Sequence, residues 1–273
     1  MPFTLSHAAA ALPFRRFKPV WPALVIGTFA PDLQYFIQTT DEDRSGHHFP
    51  AVLLFTLPLA MLVLWLFEKV VKGPAIELLP TGWQRRLQGK TAPLSFSGWR
   101  QIGRILFWIA VGTLTHLIWD QFTHSYTRVA NWWPLLTEYV NVPFWHRMAV
   151  AGILQDASSV LGLLAVCLWL AAWYQRTPPV TKSITAKLSP ATKIWVASTI
   201  GFAALAGGYV LASHALADRV EPVGRAIRAA ITIISVIQLF CVEMLIYGAA
   251  MTWRSRQHIA GASKSAKLPA RSG

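Results

Sequence analysis

Five apolar stretches, at roughly 51–67, 105–122, 149–174, 194–216 and 229–252, alternate with segments rich in Arg, Lys, Pro and Gly. Each approaches the ~20 residues a helix needs to cross a hydrocarbon core about 30 Å thick, with the first two the shortest. The runs are continuous and long, which predicts helix over strand. The expectation is an all-α, multi-pass transmembrane helical bundle of about five spans.

Residues 1–50 follow another pattern. A short segment at Ser6–Leu12 precedes the basic residues Arg15, Arg16 and Lys18, and an apolar stretch from Val20 to Ile37 is broken by Pro22 and Pro31. Because the residue before a proline is biased away from helix, the stretch through Ala30-Pro31-Asp32 predicts two short helices meeting at a turn. Ser6 is placed to cap the first helix of the chain, with His7 in its opening turn. This region is expected to pack at one face of the bundle.

The predicted organisation is a single integral-membrane domain over 1–260, with an N-terminal metal-site region at 1–50 and the bundle at 51–253, and then a disordered basic tail at 261–273. The 68–104 connection, with Gly73-Pro74, Pro80-Thr81-Gly82 and Ser95-Phe96-Ser97-Gly98, reads as irregular with an interfacial amphipathic piece around Trp83–Leu87. Thr177-Pro178-Pro179 ends the third span. In the fourth, Gly201, Ala204 and Gly208 share a face that permits close helix packing.

Composition agrees with a membrane protein: 54% of the 273 residues are hydrophobic and 14% charged, against about 25% charged in soluble domains. The formal net charge of +13 raises nucleic acid as a partner, but the basic residues sit in loops beside apolar spans without a recognition motif, so no nucleic acid is expected. Membrane lipids are the expected partners, with anionic headgroups attracting the loops. Thirteen Trp residues fit this, since Trp83, Trp99, Trp132, Trp133, Trp145 and Trp253 lie near span ends, where indole favours the interface. Arg and Lys are dense in 68–104, 175–193 and the tail and sparse in 125–148, which puts the first three in the cytoplasm; the 217–228 loop, with Arg219, Arg225 and Arg228, argues the other way. Cys167 and Cys241 fall within apolar spans and behave there as small hydrophobes. No basic segment precedes an apolar one at the N-terminus, so no cleaved signal peptide is expected.

The chemistry concentrates in the second span. His116, Asp120 and His124 are four residues apart along an apolar helix, and successive positions at that spacing drift about 40°, so the three share one face. An ionisable group at membrane depth costs about 2.5–3.5 kcal/mol on insertion scales, and a bound cation offsets that cost. With 68–104 inside, this face lies in the outer half of the second span, and the first span starts on the same side just after Ser45-Gly46-His47-His48. His7 and Asp32 are then within reach. Imidazole and carboxylate donors without thiolate suit a divalent metal, with zinc first and manganese or iron also compatible. Each group also has a plainer reading: His7 as a helix-start residue, Asp32 as a turn residue, His47 and His48 at headgroup level. Gln155, Asp156, Ser158 and Ser159 are either partners behind the ligands or interhelical hydrogen bonders. His146, His214 and His258 have no ligand spacing.

The opening Pro2-Phe3-Thr4-Leu5-Ser6-His7, the Ala30-Pro31-Asp32 turn, Gly46-His47 before a Leu-rich span and the His116-x3-Asp120-x3-His124 helix together resemble the domain of unknown function 4184 family, over residues 1 to about 179. The pattern is more distantly similar to membrane-bound metal-dependent hydrolases and to the zinc-dependent phospholipase C superfamily. The resemblance implies a bacterial cytoplasmic membrane protein with metal-ligand roles for His7, Asp32, His47, His116 and Asp120, and His124 as a further candidate. The N-terminal Trp and His-x3-Glu pair of secreted phospholipases C have no counterpart here. The expected activity is hydrolysis of lipid-like phosphoesters by metal-activated water. The alternatives are a non-enzymatic transporter using the His-Asp-His face for protons or a divalent ion, and a scaffold whose polar face only joins helices. Transport requires a polar path toward the cytoplasm, and the second span below Thr113 carries none after Arg104.

Overall fold

The computed structural model describes residues 4–38, 49–142, 147–181, 188–217 and 224–266. The chain opens with a 3-10 helix, Thr4–Phe17, in which Ser6 is an interior residue and not a cap. Next come α1 (Trp21–Phe29), a 3-10 turn at Ala30–Asp32 and α2 (Leu33–Gln38). The turn falls at Pro31, where the loss of one backbone N–H interrupts the helical ladder.

The first span is longer than its apolar stretch. α3 (Phe49–Ala51), α4 (Leu57–Leu66) and α5 (Lys72–Leu78) are joined by π-helical segments at Val52–Thr56 and Phe67–Val71, and Val52–Leu78 reads as one 27-residue helix. A helical proline clashes with the carbonyl four residues back. For Pro58 and Pro74 those carbonyls belong to Leu54 and Val70, and both lie within π segments, where the wider turn makes room. Gly73-Pro74 therefore lies inside a helix and not in an irregular loop. Lys72 Nζ, 2.8 Å from Glu68 Oε2, ties the second π segment to α5.

Beyond it lie α6 (Thr81–Leu87), α7 (Trp99–Thr123), α8 (Arg128–Trp132), a 3-10 turn at Pro134–Thr137, and a hairpin of β1 (Tyr139–Asn141) and β2 (Arg147–Ala149). Thr127 caps α8 by accepting from the Ala130 amide. The hairpin is antiparallel with Val140 opposite Met148, and its three-residue strands were too short to be read in the sequence. The long helices α9 (Val150–Arg176), α10 (Pro190–Ala217) and α11 (Arg225–Ala266) complete the chain. α11 runs six residues into the segment read as a disordered tail.

The chain forms two compact units, Met1–Trp65 with Ser95–Pro178, and Leu66–Leu94 with Pro179–Gly273. In the first, α1 crosses α7 where Gly27 meets Gly112. A Cβ on Gly112 would collide with the Leu24 carbonyl and the Thr28 nitrogen, and one on Gly27 with the Ile109 backbone. Only glycine at both positions lets the two backbones touch. Thr113 fastens the crossing by donating to the carbonyls of Ile109 at 3.0 Å and Gly27 at 3.3 Å. The N-terminal 3-10 helix is seated on α9 in the same manner, since a Cβ on Gly162 would lie 2.8 Å from the Ser6 carbonyl.

In the second unit α10 packs on α11 through Ala204, buried, and Gly208, whose added Cβ would lie 2.6 Å from Val236 Cα. Gly201, on the same stripe, has open space beside it. Gln84 of α6 donates to the carbonyls of Ile76, Glu77 and Leu79, and Lys193 to that of Leu79, so carbonyls at the end of α5 that the helix leaves unpaired are satisfied.

Among the described residues, five helices are long and apolar enough to cross a membrane: Val52–Leu78, Trp99–Trp132, Val150–Arg176, Pro190–Ala217 and Ile227–Gln257. None of the most apolar window of α9 is buried within the protein, and Val160, Leu161 and Leu168 are each more than 60% exposed. Apolar surface of this extent belongs in lipid. The protein is a multi-pass helical membrane protein.

Candidate metal centre

Three segments bring polar side chains together in the first unit. His116 and Asp120 project from α7, one turn apart, Asp32 comes from the turn after α1, and Thr4 and His7 come from the N-terminal 3-10 helix. With three residues per turn, a 3-10 helix eclipses positions i and i+3. Thr4 and His7 therefore stand on one edge and reach the same place.

His7, His116 and Asp120, all buried, each present a ligand atom within 4.8 Å of the other two. The rings of His7 and His116 stack with centroids 3.9 Å apart. His116 Nε2 lies 3.2 Å from Asp120 Oδ2 and 3.5 Å from Asp32 Oδ1. The other Asp32 oxygen, Oδ2, accepts from the Thr4 hydroxyl at 2.8 Å. On the far side of the ring His116 Nδ1 is 2.8 Å from the Thr28 carbonyl. A carbonyl can only accept, so Nδ1 carries a proton and Nε2 is the atom turned toward both carboxylates.

That arrangement fits a cation. An imidazole nitrogen facing two carboxylate oxygens is satisfied by a second proton on His116 or by a metal ion, and a His whose remote N–H is held by a backbone carbonyl is the usual form of a metal-ligating His. The donor set of two imidazoles and two carboxylates suits zinc, manganese or iron.

His124 is placed differently. It lies just past the end of α7, with Nδ1 3.2 Å from the Asp120 carbonyl, 3.2 Å from the Thr123 hydroxyl and 3.8 Å from Asp120 Oδ1. Its ring meets Tyr126 edge-on. It backs Asp120 and does not join the three-residue cluster. His47, with His48 and His146, lies outside the described residues. Ser158 and Ser159 donate to the Gln155 carbonyl of their own helix, and Asp156 is exposed.

The profile of the DUF4184 family, described as a domain of unknown function, matches residues 1–249. The chain belongs to this family. No curated protein and no solved structure matches it. The DUF4184 match runs past Pro179 and takes in α10 and most of α11, so the family pattern spans both compact units.

In this DUF4184 chain the sequence reading missed the residues that hold the His/Asp cluster in place: Thr4, the Thr28 carbonyl, and the glycines Gly27, Gly112 and Gly162. The signal was present for Thr4, three residues before His7, but it becomes legible only once the segment is known to be 3-10. A backbone carbonyl leaves no trace in side-chain patterning.

Proposed function

We propose that the first unit is a membrane-embedded metal-dependent hydrolase acting on lipid-like phosphoesters, and that the protein resides in a bacterial cytoplasmic membrane. The observation that carries this reading is the convergence of His7, His116 and Asp120 within 4.8 Å, with Asp32 beside them, in the interior of an apolar bundle. On this reading the His7, Asp32, His116 and Asp120 pattern would place the chain beside membrane-bound metal-dependent hydrolases and the zinc-dependent phospholipase C superfamily.

A divalent ion, zinc foremost, would supply Lewis acidity toward a phosphoryl oxygen and lower the pKa of a bound water to about 7. His7 and His116 would be its nitrogen donors, and Asp120 with neighbouring Asp32 its oxygen donors. Thr28 holds the His116 ring and Thr4 holds Asp32, so both arrive pre-oriented. Asp120, backed by His124, is the group placed to hold a proton released by attacking water. His116 lies seven residues before the end of α7, which at 1.5 Å per residue is about 10 Å from that end. A site at that depth suits a substrate arriving from the bilayer. Toward the other end, beyond Thr113, the buried positions of α7 are Gly112, Ile109 and Ile105, which favours a one-sided site over a conduction path.

Metal content of the detergent-purified protein, with parallel assays on a phosphodiester bearing an acyl tail, tests the reading. Stoichiometric metal and hydrolysis that are lost together in His116→Ala and Asp120→Asn are the expected result. Stoichiometric metal with no ester hydrolysis overturns the hydrolase while leaving the centre standing, and folded protein without metal after reconstitution overturns both.

A further inference from the structure

The second unit carries an intramembrane carboxylate that the metal centre does not use. Glu243 is the sole charged residue between Arg228 and Arg254, and it stands next to the midpoint of the span Ile227–Gln257. Its Oε2 is shielded from solvent and takes no hydrogen bond among the described residues, and the same holds for the hydroxyl of Tyr247, one turn further on. The two side chains line a groove of about 430 Å³ between α10 and α11, with Trp195, Val196, Thr199, Ile200, Ala203 and Ile246 as its other walls. Trp195 and Ile246 are 74% and 64% exposed, so the groove opens sideways from the hairpin.

Among the described residues, no Lys, Arg or His lines this groove. A carboxylate at the centre of a span is costly without a partner, and the walls offer only hydroxyls and apolar surface. The missing element is a positive charge small enough to reach Glu243 and attached to an apolar body that fills the rest. Trp195 adds an indole face at the rim, which attracts cations, and the hydroxyls of Thr199 and Tyr247 are at hand to orient a charged head. The volume lies within the range of small-molecule sites, which are mostly apolar with a few placed polar groups.

We propose that the α10–α11 groove binds a lipophilic monocation, with its charge paired to Glu243 and its apolar portion along Ile200, Ala203 and Ile246. The ligand enters from the bilayer, and the site is separate from the histidine cluster, whose residues all belong to the other unit.

Equilibrium binding of radiolabelled tetraphenylphosphonium to the full chain in dodecyl maltoside, an uncharged detergent, tests this. Wild type should show one saturable site per chain. Glu243→Gln keeps shape and removes charge, and should weaken binding roughly tenfold, the scale of a lost charge-assisted contact. Trp195→Ala should weaken it several-fold, whereas His116→Ala should bind as wild type does. Uncharged triphenylphosphine oxide should not distinguish wild type from Glu243→Gln. Thermal melting of each variant verifies folding. Absence of saturable binding in folded wild type, or equal affinity in Glu243→Gln, overturns the proposal. A change of oligomeric state in Glu243→Gln with unchanged cation binding also overturns it, and assigns the groove to contact with a second copy.

Discussion

At the scale of single residues, the roles of Asp120 and His124 separate cleanly. Asp120 Oδ2 faces His116 Nε2 at 3.2 Å, so Asp120→Asn exchanges a charged donor for a neutral one, and metal affinity should fall at least tenfold, the loss typical even of groups that only support ligands. His124 contacts Asp120 from behind, and His124→Gln should retain stoichiometric metal while slowing turnover; mass spectrometry and initial rates on the same preparation decide this. Thr4→Val removes the hydroxyl that holds Asp32 Oδ2, and is expected to weaken metal binding by about tenfold without altering ligand number. Metal titration against a competing chelator measures it. The His116–Asp120 pair was legible because spacing alone aligns the two, and an ionisable pair is conspicuous in an apolar run. Glu243 shows where that reasoning stops: one carboxylate in a span has no spacing partner, and its groove exists only once α10 lies against α11.

At the scale of elements, the site depends on two helices touching through their backbones. Gly112→Val would drive a side chain into α1 at Leu24 and Thr28. Overpacking of this kind costs about 1–3 kcal/mol, and here the strain falls on the contact that delivers the Thr28 carbonyl to His116. The expected phenotype is loss of metal from protein that still inserts in the membrane, seen as a normal yield of detergent-extracted monomer with depleted metal content. Gly201→Val, with open space beside it, serves as the control and should leave metal unchanged. The spans were legible as elements from apolar length, but their ends were not. Val52–Leu78 continues eleven residues past its apolar stretch, because the Glu68–Lys72 pair and the π segments sustain helix through residues that composition reads as loop.

For the whole molecule, five spans place successive connections on alternate sides of the bilayer. In a background with Cys167→Ser and Cys241→Ser, single cysteines at Ala92, Val180 and Ser263 should label from one side, and those at Asn141 and Gly224 from the other. Impermeant thiol labelling of intact cells against lysed cells reads the outcome, with the first group protected in cells if the Arg and Lys distribution sets the orientation. The two units also predict separable responses to ligand. Metal at one hundred times its dissociation constant stabilises the state that binds it by about 2.7 kcal/mol. The melting temperature should therefore rise with added metal equally in wild type and in Glu243→Gln, and by half as much or less in Asp120→Asn. The fold class was legible at this scale because lipid demands helices that satisfy their own backbones. The partition into two units was not, since it falls inside one continuous helix, between Trp65 and Leu66.

Pro74 and the π segment at Phe67–Val71 have a genetic consequence. A π turn holds one residue more than an α-helix would use over the same stretch, so the proline and the extra residue form a compensating pair. Deleting one residue from Phe67–Val71 while Pro74 remains restores the clash with the carbonyl four residues back. Replacing Pro74 with Ala while the extra residue remains leaves a wide turn with nothing to accommodate. Making both changes restores a regular helix whose flanks keep their phase, because the wide turn had already absorbed the extra residue. The pair is thus bound by sign epistasis, in which each single step is penalised and the double step is tolerated.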